Sequence, residues 1–439
     1  MLRCIIRSAN EVRDAPYVPS GIKNILREQD IELPVIPRAQ LCALEYLMLK
    51  QTISLMLMLS GSTVVQAQTA NQNKVNTVLS TPIGIPDADA VNLITATTIA
   101  NPLARADALA QLSPQAYSLV PEVSLNAVEA QETNILRYVR DLRGNAERPD
   151  GSTVTLDDAG RVGLFVTSGA RFGKYKAALD RPRVENQNYM VMGGLNFRLT
   201  PKTTIGGFGG YMESKADLDT APVSASSKMK NWFAGGFGTV GVGPVYVDAW
   251  GSYTNLDWSL ARGYSFAGQS GTSNGKTKGH IWAAGAATGL SFSAGNFEIE
   301  PFAAVRYAKI RLNSFSETGS PAALTIGRND AKSLRLTAGG RIGTKFDVGN
   351  VTVRPQLRGG WNREFKMNDP RTIAAAFNNS GINTPFTFTT TPLTGEYYNG
   401  GAALNIAGSG PVSMAVDYDV QFDDDRQYHA LSLSARLKF

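Results

Sequence analysis

Three short patterns contain residue types that could do chemistry. Gly236-Phe-Gly-Thr-Val-Gly241 has the G-x-G-x-x-G spacing, in which a glycine turn presents backbone N–H groups to a pyrophosphate at a helix N-terminus. Gly271-Thr-Ser-Asn-Gly-Lys-Thr277 approximates a phosphate loop and contains G-x-S-x-G around Ser273, the spacing of a serine nucleophile. His280 and His429 are the two histidines of the chain, so any imidazole base must be one of them. Each pattern needs a neighbour that the sequence does not supply. The stretch after Gly241 reads as a second strand, so no helix dipole is available for a phosphate. The glycines at 271 and 275 stand one residue too close for a phosphate loop, and no helix follows to form a nucleophile elbow. Two Cys and two His are too few for most zinc or haem sites. The expectation is a protein that is not an enzyme and that has no cofactor and no metal.

The composition shows what kind of elements would have to carry these residues. Of 439 residues, 43% are hydrophobic and 18% charged, below the roughly 25% charge usual for globular chains, and 43 are glycine. Disorder is excluded by the apolar content and sparse charge. Mean hydropathy is −0.14, and no stretch supplies the roughly 18–20 apolar residues of a spanning helix. Net charge is +6, but Lys and Arg are scattered without a run of five, which argues against nucleic acid. Glycine-rich, poorly charged and hydropathically bland is the composition of a membrane β-barrel, whose lipid-facing and water-facing residues cancel in any average.

Residues 48–67, MLKQTISLMLMLSGSTVVQA, combine Lys50, an apolar run from Ile53 to Leu59, and the small-residue end Val65-Gln-Ala67. This is the anatomy of a secretory signal peptide, with cleavage expected between Ala67 and Gln68. Residues 1–47 are read as an over-extended start, the alternative being an unusually long n-region. Cys4 and Cys42 both precede Met48, so the exported part is cysteine-free, as suits an oxidising periplasm. Residues 68–110 form a short polar segment of about 43 residues, too few for a stable unaided domain. They are expected to behave as a largely unstructured tail. Within 111–160 a second helix is expected at about Leu125–Leu142, following a short one at Leu103–Leu112. The second mixes Leu125, Val128 and Ile135 with Glu129, Glu132, Arg137 and Arg140, too polar for a core and suited to a water-filled pore.

From Arg161 onward the apolar period is two. In 412–422, Val412, Met414, Val416, Tyr418, Val420 and Phe422 alternate with Ser413, Ala415, Asp417, Asp419 and Gln421. Such runs number about twelve: 161–175, 186–199, 203–218, 228–241, 245–262, 277–293, 297–316, 332–347, 351–366, 394–407, 412–423 and 427–439. Short Gly-, Pro- or Asn-bearing connections near 200, 243, 295, 349 and 410 alternate with long ones at 219–227, 263–276, 317–331 and 367–393, the pattern of periplasmic turns and outer loops. Trp282 and Phe292 share one face, and at about 3.3 Å per residue with a tilt of about 40° they span roughly 25 Å, one apolar band. The expected fold is an all-β membrane protein, a 12-stranded antiparallel transmembrane barrel with an N-terminal helix in its lumen.

Ala108-Leu-Ala-Gln-Leu-Ser-Pro-Gln-Ala-Tyr117, the helix ending Arg137-Tyr-Val-Arg-Asp-Leu-Arg143, and the closing Leu431-Ser-Leu-Ser-Ala-Arg-Leu-Lys-Phe439 together resemble the junction, pore helix and C-terminal assembly signal of the type V autotransporter β-domain. The resemblance covers roughly residues 105–439. It implies a translocator barrel in the outer membrane of a Gram-negative bacterium, a monomer surrounded by outer-membrane lipid and handled by the assembly machinery and periplasmic chaperones. In this reading 161–439 is the barrel and 68–110 a passenger remnant that the barrel exports or displays. The alternative is a surface adhesin or passive pore acting through the outer loops. Leu433, Leu437 and Phe439 would be the assembly signal. Some family members cleave their passenger at adjacent asparagines in the pore helix; Asn126 and Asn134 here are isolated.

The inward parity of the strands places Glu298, Glu300 and Arg306 on the seventh, Arg335 and Arg341 on the eighth, Arg354 and Arg358 on the ninth, and Asp417 and Asp419 on the eleventh. Like charges facing one another across neighbouring strands repel, so opposite charges must meet them. These residues are expected to clasp the helix at Glu129, Glu132, Arg137 and Arg140, since a polar helix in a low-dielectric pore needs partners.

Overall fold

The computed structural model describes residues 68–144, 162–220, 223–379, 381–408 and 412–438, all within one compact unit, Val65–Phe439. The expected signal peptide, the segment ahead of it and Phe439 lie outside the described residues.

Twelve strands alternate inward and outward side chains as the period of two requires: β1 (Val162–Tyr175), β2 (Val184–Thr200), β3 (Thr203–Thr220), β4 (Val223–Val242), β5 (Val245–Phe266), β6 (Gln269–Leu290), then, after the three-residue β7 (Phe292–Ala294), β8 (Phe297–Leu312). Beyond the two short strands β9 (Phe315–Ser316) and β10 (Leu324–Ile326), the barrel continues with β11 (Asn329–Thr344). It then runs through the short extension β12 (Phe346–Val348) to β13 (Val351–Glu364). After β14 (Thr372–Phe377) and β15 (Phe386–Thr389), it closes with β16 (Glu396–Gly408), β17 (Val412–Phe422) and β18 (Arg426–Lys438). Every barrel neighbour is antiparallel, and β18 returns to β1 in the register Val166↔Ala435. A closed ring leaves no unpaired strand edge, the condition for burying backbone in hydrocarbon.

Among the described residues no helix is long and apolar enough to cross a membrane, and the strands are what cross. Their outer wall exposes Val191, Leu195, Ile205, Val240, Val305, Leu336, Leu404 and Leu431, a pattern a soluble protein would hide. Trp282 and Phe292 are both exposed, at opposite ends of this band. Inside, aromatic rings lie against glycines of neighbouring strands. A Cβ at Gly206 would fall 2.3 Å from the Phe237 ring, so the glycine is what lets that ring lie flat on the wall.

Two expected outer loops prove to be strand. Residues 223–227 continue β4, and β5 and β6 run on to a two-residue hairpin at Ala267-Gly268 with φ of 47° and 78°. Positive φ at both positions suits a right-twisted two-residue turn. The alternation does not stop at 262, because Tyr264 and Phe266 stay buried. The other two long connections carry β9, β10, β14 and β15, which pair into a separate four-stranded sheet beyond the outer end of the barrel.

The segment from 68 to 119 is folded, not an unstructured tail. Its helices are α1 (Ala70–Ser80), α2 (Ala88–Ile94) and α3 (Pro102–Leu112), each with a side-chain N-cap: Thr69 in a reciprocal capping box with Gln72, Asp87, and Asn101 ahead of Pro102. Capping satisfies the first-turn N–H groups, and Val75, Leu79, Leu93, Leu109 and Leu112 are buried in a shared core. Asn71 extends the outer sheet by exchanging two hydrogen bonds with the Thr389 backbone, both 2.8 Å. The polar composition concealed these contacts because each helix is stable only against the loops it covers.

Candidate functional site in the barrel lumen

Helix α4 (Val120–Gly144) starts five residues before the expected Leu125. Its 25 residues make about 37 Å of helix at about 1.5 Å per residue, enough to thread the barrel. Its direction follows from its ends. Near the start, Glu122 accepts from Arg371 of the β13–β14 connection at 2.8 Å, on the side of the long outer loops. Near the finish, Arg143 pairs with Asp248 and lies 3.8 Å from Glu300, beside the short turns, with its guanidinium 3.6 Å over the Tyr246 ring.

Between these ends the contacts form two charge layers of opposite sense. In the upper layer the helix is acidic and the wall basic. Glu129 meets Arg171 at 2.7 Å, Arg335 at 3.4 Å and Arg306 at 3.5 Å, and Glu132 meets Arg306 at 3.3 Å and also Arg335. Arg306 and Arg335 are register partners on β8 and β11, two cations side by side that the two helix glutamates reconcile, with the wall's Glu364 3.9 Å from Arg306. In the lower layer the helix is basic and the wall acidic. Arg137 lies 2.9 Å from Asp417 and 3.5 Å from Asp419, which also hold Arg358 at 3.1 and 2.6 Å. Uncharged contacts accompany both layers: Gln131, between the two glutamates, donates to Thr254 at 2.9 Å, and Tyr138, next after Arg137, stacks on Phe165 with centroids 3.9 Å apart.

Of the residues singled out from sequence, Glu129, Glu132, Arg137, Arg306, Arg335, Asp417 and Asp419 meet in these layers. Glu300 pairs with Arg341, and Arg358 reaches the helix only through the aspartates it shares with Arg137. Arg140 pairs with its neighbour Asp141 at 3.5 Å instead of a wall carboxylate. Glu298 and Arg354 line a cavity of about 700 Å³ below the helix, open toward the short turns. Leu433 lies on the exposed outer face of β18, paired with Val416 of β17 and Ser168 of β1. Leu437 faces Val412 and Leu164 across the same two seams.

Sequence reasoning missed Arg171, Asp248 and Arg371. The first two had a usable signal: Arg171 shares the inward parity of Phe165 and Thr167 on β1, and Asp248 that of Tyr246 and Trp250 on β5. Arg371 sits in a connection with no periodicity to read.

Above the helix the junction is locked by one carboxylate. Glu317 accepts from the Tyr117 hydroxyl at 2.7 Å, from Arg262 at 2.6 and 3.2 Å, and from the Leu324 N–H at 2.8 Å. Arg262 also donates to the carbonyls of Gln111 and Ala322, both at 2.7 Å, so α3, the 313–328 connection and the barrel wall meet on a fully buried ion pair. Burial first, and the charge of Glu317 second, push the Tyr117 phenol well up, which keeps it a donor.

The three patterns that suggested chemistry are structural. Gly236–Gly241 lies inside β4. Ser273, inside β6, is hydrogen-bonded to Ser320 at 2.6 Å, and a Cβ on Gly275 would fall 2.6 Å from the Tyr117 hydroxyl. His280 stacks on Tyr253, and His429 bonds the Tyr418 hydroxyl at 2.6 Å; both lie on the outer wall.

A single-chain, closed, twelve-stranded barrel with an apolar outer band and a charged helix clasped in its lumen is an outer-membrane translocator in architecture. The family model for the autotransporter β-domain matches residues 164–419, and the chain belongs to that family, whose barrels sit in the Gram-negative outer membrane and serve type V secretion. The translocator domain of autotransporter NalP from Neisseria meningitidis superposes with a TM-score of 0.53 at 14% identity, covering 72% of this chain and 98% of that one. Among curated proteins, the extracellular serine protease of Serratia marcescens is 22% identical over 260 residues, 58% of this chain and 24% of that protein. Esterase EstA of Pseudomonas aeruginosa is 26% identical over 246 residues, 55% of this chain and 36% of that protein. The chain thus spans a quarter to a third of these relatives' lengths.

Proposed function

We propose that this barrel exports its own N-terminal segment, residues 68–119, and keeps it at the cell surface as a folded cap seated on the outer loops. The observation that carries this reading is the polarity of α4. Its first turn, through Glu122, and the chain ahead of it, through Tyr117 and Asn71, meet the long-loop end, whereas Arg143 meets the short-turn end from which β1 departs. A segment on the outer side whose chain continues through the lumen to the inner side has crossed the barrel. In this reading the chain is not an enzyme, its cargo is its own cap, and the C-terminal residues Leu433, Leu437 and Phe439 are the signal that the assembly machinery reads after periplasmic chaperones deliver the chain. The second reading, an adhesin acting through its loops, draws support from the extra four-stranded outer sheet.

An epitope tag after Ile85, which is 93% exposed between α1 and α2, tests the export step. The tag is expected to bind antibody on intact cells. Protection of the tag until the outer membrane is broken would overturn export and leave the loop reading.

A further inference from the structure

The outer wall carries an uneven belt of charge. The aromatic residues Tyr211, Trp232, Tyr253, Trp282 and Tyr307 mark the outer edge of the apolar band on β3 to β8, the depth of headgroups. Beyond them β4, β6 and β8 turn cations outward, Lys230 and Lys228, Lys278 and Lys276, Lys309 and Arg311, while the intervening β5 carries Asn255 and Asp257 and the flanking β3 carries Glu213. On the opposite wall the cations at this level stand singly, each beside an acid: Lys174 lies between Glu185 and Gln427, and Arg363 pairs with Glu396. The cations are therefore a one-sided patch and not a general rim.

Register makes this patch a groove. Lys230 and Lys278 flank Asp257, and Lys228 and Lys276 flank Ser259, so two lysine rows stand either side of β5, about 10 Å apart at two strand spacings. The short side chains of β5 form the floor of a groove of about 660 Å³, closed at one end by Asn313 and Ser314. It holds four ammonium groups and one carboxylate, and Glu213 reaches in to Lys228 at 2.8 Å from β3. Below the contacting rings of Trp232, Tyr253 and Trp282, the lipid-facing wall loses its large side chains: Ala234 and Gly236 on β4, Ala249 and Gly251 on β5, Ala284 and Ala286 on β6. A cationic groove above a smooth apolar slot matches a ligand that joins phosphate to acyl chains.

We propose that the outer wall of β4–β6 is a binding site for a phosphorylated glycolipid of the outer leaflet, its phosphate seated between the lysine rows and its acyl chains on the small-residue slot. Ammonium–phosphate contacts supply the charge-assisted bonds, and the flat slot supplies contact along the chains that a free anion would not use.

The test uses the full chain in neutral detergent, with bis-phosphorylated lipid A as the probe and native mass spectrometry together with the temperature of the heat-modifiable gel shift as readouts. Lipid A is expected to bind the wild-type protein and raise that temperature, and the same lipid stripped of its phosphates to do neither. The variant Lys228→Gln/Lys230→Gln/Lys276→Gln/Lys278→Gln is expected to lose at least tenfold in affinity, while Lys174→Gln on the opposite wall binds as wild type. Equal binding of the dephosphorylated lipid, a loss below twofold in the quadruple variant, or full protection by inorganic phosphate alone would overturn the proposal. The dephosphorylated lipid is tested on unaltered protein, so the result does not depend on how the variant folds.

Discussion

The upper charge layer makes the sharpest demand on the reasoning. Glu129→Gln with Glu132→Gln keeps side-chain length and removes both negative charges, leaving Arg171, Arg306 and Arg335 facing one another, all at most about a tenth exposed. Orphaning one partner of a buried ion pair costs about 3–5 kcal/mol. Taking the lower figure, and about 1.4 kcal/mol per factor of ten, the helix should leave its seat roughly a hundred times more often. Planar-bilayer recording reads this directly, since each departure opens the lumen to ions. Full openings that are rare in wild type should become frequent in the double variant. Adding Arg171→Met, Arg306→Met and Arg335→Met, which removes the stranded cations and keeps apolar volume, should return the pore to its closed behaviour. An open probability for Glu129→Gln/Glu132→Gln within threefold of wild type would refute the claim that these pairs hold the helix.

Three further outcomes follow from the cap and the seam. Tyr117→Phe removes one donor from buried Glu317 and should loosen the junction by about 1–3 kcal/mol, seen as faster hydrogen exchange in 108–117 and 313–326 with the barrel strands unchanged. Burial pushes the carboxyl of Asp425, in the β17–β18 turn, upward, but its bonds to Thr394 and Arg181 outweigh this and hold it below the ordinary value of about 3.9. Because the native pKa is depressed, the tether to Thr394 is in force above that ordinary value and is lost as pH falls through the native one. Protease cleavage near 391–394 should therefore stay slow at mildly acidic pH and rise only below the usual aspartate range. Phe439→Ala should lower the amount of heat-modifiable barrel in outer membranes while leaving single-channel conductance of the assembled fraction unchanged; normal yields would remove the assembly role.

How much was legible in the sequence differs between the two halves of the chain. The twelve strands were, because a barrel wall in lipid imposes period two on each strand independently, and Val412 to Phe422 or Leu431 to Leu437 states its own facing. The charge sign of the lumen was legible for the same reason: once parity is known, Arg306, Arg335, Asp417 and Asp419 must point inward. Which charge meets which was not. The pairing of Glu129 with Arg171 joins residues 42 apart, and that of Arg137 with Asp417 joins residues 280 apart, distances set by ring closure between β18 and β1 and by the depth at which α4 stops.

Tertiary structure decided how residues 68–119 pack. Of this segment only α3 was legible, its helix expected at Leu103–Leu112 behind Asn101-Pro102; read as a string, Asn71 and Asp87 are polar residues among breaks, and nothing local says that Asn71 will pair with the Thr389 backbone. Short helices do not hold in water by propensity. These become stable only where the outer loops present Leu79, Leu93 and Leu112 with a surface to bury against, and that surface exists only after strands more than a hundred residues away have closed into a ring. Local periodicity is encoded residue by residue and survives in the sequence; a contact whose two halves are each unstable alone is a property of the assembled chain.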